Sequence, residues 1–118
     1  MLLRMVYYLL LITYSLLPIT YSLLLKTGIM DSIRISIVQT DIVWENKQEN
    51  LRLLHEKLQS LRGTTEIVVL PEMFSTGFSM QSDMLAEANS GETITALKQW
   101  ASLFQVALCG CYFTVVNG

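Results

Sequence analysis

The run EIVVLP, from Glu66 to Pro71, is apolar without a break from Ile67 to Leu70 and stops at a proline followed by Glu72. A strand with one wet face alternates apolar and polar residues. A strand that is apolar at every position is covered on both faces, as in a parallel sheet lying between other layers. Parallel strands need long crossovers, usually helices, so the flanking sequence has to supply them.

It does so on both sides. Upstream, IRISIVQ alternates Ile33, Ile35 and Ile37 with Arg34, Ser36 and Val38, and its β-branched residues predict a strand. TDIVWEN breaks that alternation. Asn46 and Glu49 then have the N-x-x-E spacing of a capping box, and Leu51, Leu54, Leu58 and Leu61 follow at helical steps. Gly63 stands where a helix ends in a left-handed residue, and Glu49, Arg52, Glu56 and Lys57 form a solvated face. Downstream, Ser90 is the expected cap of a second helix with Ile94, Leu97, Ala101 and Phe104 inward. VALCGCYFTVV predicts a third strand, with Gly110 permitting close backbone approach. The expected fold class is α/β, one domain layered around a sheet.

The two ends of the chain read differently from this body. No charge occurs from Met5 to Leu25, between Arg4 and Lys26, and a helix of that length can cross a bilayer. Pro18 interrupts the run, no A-x-A cleavage site follows, and ITYSLLP is repeated at once as ITYSLLL. Residues 1–29 are therefore read as an apolar leader, either spurious upstream translation or a membrane anchor, with Met30 an alternative start. Residues 30–118 form the domain. At the other end, Asn117-Gly118 is a hairpin-turn signal after a strand, which predicts a returning strand and marks the chain as an N-terminal fragment. A three-stranded sheet ending there is expected to expose an unpaired edge and to be poorly soluble.

A net charge of −2 without a basic cluster gives no footprint for nucleic acid. Cys109 and Cys111 do not have the spacing of a CxxC motif and read as reduced core residues, which suits a cytoplasmic protein. Neither metal-ligand spacing nor a phosphate-binding glycine loop occurs, and TDIVWEN replaces the glycine-rich turn of a nucleotide-binding domain. His55, beside Leu54, reads as a packed or solvated histidine, and Lys98 as surface.

Glu72 is the candidate functional residue. Ligand crevices in α/β sheets open at the carboxyl ends of strands, and Glu72 is the first side chain beyond Pro71. Partial desolvation there is expected to raise its pKa toward the range of a general base. The following FSTGFSM offers aromatic groups, the hydroxyls of Ser75 and Thr76, and a flexible Gly77, a composition suited to lining a small-molecule pocket.

IRISIVQTDIVWENKQENL, EIVVLPEMFSTGFSM and GETITALKQWA together resemble the start of a carbon–nitrogen hydrolase of the nitrilase superfamily, and LPEMFSTGFSM is most similar to its omega-amidase branch. The resemblance runs from Ile33 to Gly118. It implies the N-terminal part of a four-layer α-β-β-α sandwich, a homodimer in the complete enzyme, and hydrolysis of the terminal amide of 2-oxo acid amides without a cofactor. It further implies a Glu-Lys-Cys triad in which Glu72 is the general base and proton acceptor, with Phe78 a substrate-binding candidate. The lysine and cysteine of such proteins fall beyond this chain's last residue, so the fragment alone is expected to be inactive. The alternative reading is a membrane-anchored, non-catalytic α/β module.

Overall fold

A computed structural model describes residues 3–10, as a strand, and residues 32–115. Along the chain these form β1 (Leu3–Leu10), β2 (Ile35–Ile37), α1 (Lys47–Leu61), β3 (Ile67–Val69), the single turn α2 (Ser82–Leu85), α3 (Glu92–Phe104) and β4 (Ala107–Val115). The sheet order is β1-β4-β3-β2. Strands β2, β3 and β4 are parallel, with Ser36 opposite Val68 and Val68 opposite Leu108. The mixed α/β fold with a parallel sheet therefore stands as expected.

Strand β1 changes the expected edge. It pairs antiparallel with β4 from Leu3↔Val115 to Leu10↔Leu108. The edge of β4 away from β3 thus carries a ladder rather than open backbone groups, because an eight-residue extended segment supplies the partners. The rest of the leader, including Pro18 and the repeat, lies outside the described residues, as does the Asn117-Gly118 turn signal. Among the described residues no helix is long and apolar enough to cross a membrane.

Helix α1 begins as half a capping box. The Asn46 side chain accepts from the Glu49 amide at 3.1 Å. The Glu49 carboxylate takes Arg52 instead, at 2.7 and 2.9 Å, and the Asn46 amide donates to the Val43 carbonyl. Arg52 holds the Glu49 carboxyl below its ordinary pKa, chiefly by hydrogen bonding. At the far end Gly63 is left-handed, φ 76°, as expected. Arg62 is at φ −55°, ψ 128° and the Thr64 amide donates to the Leu61 carbonyl, so the glycine serves a type II turn.

Ser90 does not cap α3. The N-cap is Gly91, without a side-chain bond, and the Glu87 carboxylate accepts from the Thr93 amide at 3.2 Å. Glu87 can do this because its backbone is bridged to β4: its amide donates to the Phe113 carbonyl and its carbonyl accepts from Val115. Lys47 Nζ, from the start of α1, closes on the same carboxylate at 2.8 Å. One buried acid thereby ties both helices to the sheet, and its negative charge lies at the positive end of α3.

The core is the space between these helices and one sheet face. Leu51, Leu54 and Leu58 of α1 meet Ile94, Leu97, Ala101 and Phe104 of α3 over Val68, Leu108 and Tyr112. On the opposite face, carrying Ile35 and Ile37, no helix packs among the described residues, and Ile37 is 81% exposed. At its lower rim Glu66 accepts from the Arg34 amide at 2.6 Å and from Arg34 Nε at 3.0 Å. The Arg34 side chain is the main cause holding the Glu66 carboxyl below the ordinary glutamate value, against the opposing effect of burial.

Candidate active site

The site is built where β3 runs out. The Leu70 amide still donates to Cys109 at 2.7 Å, one step past the strand, and Pro71 has no amide to continue the ladder. The chain turns there. Glu72 projects to solvent, while Met73, Phe74, Ser75, Thr76 and Gly77 are all buried. Glu72 is thus delivered to the strand's carboxyl end as expected, but the described residues leave it exposed and do not supply the desolvation expected of it. Phe78 follows on the same loop and is 60% exposed.

The turn is held by its own backbone. Met73 adopts φ 49°, and its carbonyl accepts from the amides of Thr76 at 3.1 Å and Gly77 at 2.8 Å. Its amide donates to the Cys111 sulfur at 3.3 Å. Ser75 and Thr76, expected to offer hydroxyls to a pocket, are 1% exposed, and the Thr76 hydroxyl donates to the Gly77 carbonyl. Gly77, expected to be flexible, is at φ 76°, and a Cβ placed on it would stand 3.0 Å from the Trp44 ring. That position requires glycine for conformation and for contact, and the Trp44 ring closes the space above it.

Asn50 joins this loop to the segment before α1. Its side chain accepts from the Val43 amide at 2.7 Å and donates to the carbonyls of Val43 at 2.7 Å and Ser75 at 2.9 Å. The Glu45 amide donates to the Thr76 carbonyl at 2.9 Å, and the Ser79 hydroxyl donates to the Glu45 carboxylate. Sequence reasoning missed this brace. Its one signal was Asn50 itself, four residues before Leu54 and eight before Leu58, a polar group on the leucine face of α1.

Cys109 and Cys111 are free, Cys111 buried and Cys109 half-buried. Burial pushes the Cys111 thiol up, and the Glu72 and Cys109 charges add to that, while the Met73 amide opposes it. A thiol kept protonated is a poor nucleophile. Lys98 is exposed, and His55 packs against Trp100 and Phe104 with ring centroids 5.3 and 5.4 Å away.

The arrangement is that of an α/β fold with a glutamate at the carboxyl end of a parallel strand and a braced loop behind it. The carbon-nitrogen hydrolase family model matches residues 34–117, and the chain belongs to that family. It is 35% identical over 72 residues to the omega-amidase YafV of Yersinia enterocolitica, covering 61% of this chain and 27% of that protein. Against YafV of Escherichia coli (strain K12) the identity is 36% over 53 residues, 45% of this chain and 20% of the relative. The crystal structure of XC1258 from Xanthomonas campestris, a CN-hydrolase superfamily protein with an arsenic adduct in its active site, superposes with a TM-score of 0.70 at 30% identity, covering 75% of this chain and 33% of that one. The chain therefore spans about a quarter of the Yersinia relative and a third of the solved structure.

Proposed function

We propose that this chain is the N-terminal part of an amide hydrolase acting on small, non-peptide amides, in the manner of an omega-amidase, with Glu72 as general base. The observation that carries the reading is the placement of Glu72 immediately beyond β3, within a chain similar to two omega-amidases. The remaining groups of the Glu-Lys-Cys triad come from sequence outside this chain. In that chemistry Glu72 accepts the proton of the cysteine thiol as its sulfur attacks the amide carbonyl, and the lysine holds the developing oxyanion. The C–N bond breaks as Glu72 returns that proton to the departing nitrogen, ammonia leaves, and the freed carboxylate then deprotonates the water that hydrolyses the thioester.

A terminal amide of a 2-oxo acid is the substrate class we assign. The desolvation Glu72 lacks here is supplied by the segments that complete the enzyme. We assign the complete enzyme a homodimeric state and a cytoplasmic location, the latter supported by two free cysteines. The test has two arms. The purified chain should release no ammonia from an omega-amide such as 2-oxoglutaramate, and turnover by it that disappears in Glu72→Gln would overturn the fragment reading. In the complete enzyme Glu72→Gln should lower kcat by about 10²–10⁴-fold with KM nearly unchanged. An unaltered kcat there removes Glu72 from the mechanism.

A further inference from the structure

We propose that Cys111 is a positioning residue for Glu72, its sulfur fixing the peptide plane by which the glutamate leaves the sheet. The proposal rests on the reading of Glu72 as the general base and adds to it the group that aims it. Four observations converge on this sulfur. It accepts the Met73 amide at 3.3 Å. That amide belongs to the peptide unit that starts at the Glu72 carbonyl, and the unit is planar, so fixing its N–H also fixes the bond from the Glu72 Cα. Met73 sits at φ 49°, a region a residue with a side chain occupies only when its surroundings hold it there. Cys111 is 2% exposed and Met73 likewise 2%, so no solvent competes for the donor.

The neighbouring contacts do not replace this bond. Thr76 and Gly77 hold the Met73 carbonyl, which lies on the far side of its Cα from the Glu72–Met73 unit. Through Cys111, β4 reaches that unit. Gly110 lets it do so: a Cβ there would meet Leu70 at 3.1 Å and Phe74 at 3.3 Å, so the strand lies close under the loop. A thiol at 111 is a neutral acceptor that adds no charge beside the base, whereas a carboxylate there would compete with Glu72 for the same proton.

The experiment uses hydrogen exchange and carboxyl NMR on the 118-residue chain. The Met73 amide is read as a ratio to the Leu70 amide, which bonds to Cys109 and reports that the ladder is intact. Cys111→Val, which fills the site without an acceptor, should speed Met73 exchange about fivefold or more against Leu70 and shift the Glu72 side-chain carboxyl signal. Cys111→Ser, which restores an acceptor, should keep Met73 protection within about twofold of the parent. A Val variant with an unchanged ratio and an unmoved Glu72 signal overturns the proposal, since Cys111 would then only fill space. So does a Ser variant that behaves like Val. If Val loses Leu70 protection as well, Cys111→Ala is read by the same ratio. Failure here leaves the base assignment intact, because that assignment is judged by the kcat of Glu72→Gln.

Discussion

Gly77 and Asn50 show how much of a loop's shape can depend on buried residues far apart in sequence. Gly77→Ala forces a Cβ into a left-handed backbone and against the Trp44 ring, and should lower stability by about 1–3 kcal/mol in urea denaturation. An unchanged midpoint would mean that the ring moves aside. Asn50→Leu removes three hydrogen bonds and leaves the Val43 amide and the Ser75 carbonyl to find other partners. A loss of about 2–3 kcal/mol is expected, together with faster exchange at the Val43 amide. Glu72 was legible because a strand, a proline and an acid are consecutive in sequence. The brace was not, since Asn50 and Ser75 meet only after α1 has folded back over the loop. The same holds for Cys111: its spacing from Cys109 excluded a metal motif, but nothing local showed that Met73 would turn its amide toward it.

Among the elements, the sequence pattern located α1, α3 and all three parallel strands, and failed at the cap of α3. Ser90 had the chemistry of a cap, but Glu87 had the position, because β4 holds its backbone in place. That pairing is long-range and has no local signature. The one-turn helix α2 escaped for the related reason that four residues are too few to show a period. Glu87→Ala should destabilise the chain by about 2 kcal/mol and fray the first turn of α3, seen as faster exchange at Thr93, since it removes a cap and the ion-pair partner of Lys47. The Arg34–Glu66 pair joins β2 to the start of β3 and makes stability depend on pH. Because the folded pKa of Glu66 lies below its unfolded value, its contribution is present above the unfolded pKa and fades as pH falls through the folded one. Glu66→Gln should therefore flatten the acid limb of the stability curve below about pH 4.3. An acid limb of unchanged steepness would show that other carboxylates set it.

For the molecule as a whole, the helices cover one side of the sheet and leave the other apolar. The sequence of β3 anticipated cover on both faces; here Val68 is fully buried, whereas Ile67 and Val69 stay half-buried beside the exposed Ile35 and Ile37. The chain, which spans about a quarter of the YafV relative, leaves that face uncovered among the described residues. It should bind a hydrophobic dye such as ANS and associate as concentration rises, and Ile37→Lys should weaken both. Dye binding equal in the two proteins would place the sticky surface elsewhere. The stacking of Trp44 on Gly77 has a practical corollary. Trp44 and Trp100 are the chain's two tryptophans, and Trp100 lies between the helices beside His55. A Trp100→Phe protein would retain a single indole, stationed on the bend that carries Glu72, and the colour of its emission would register any ligand or polypeptide that settles over that acid.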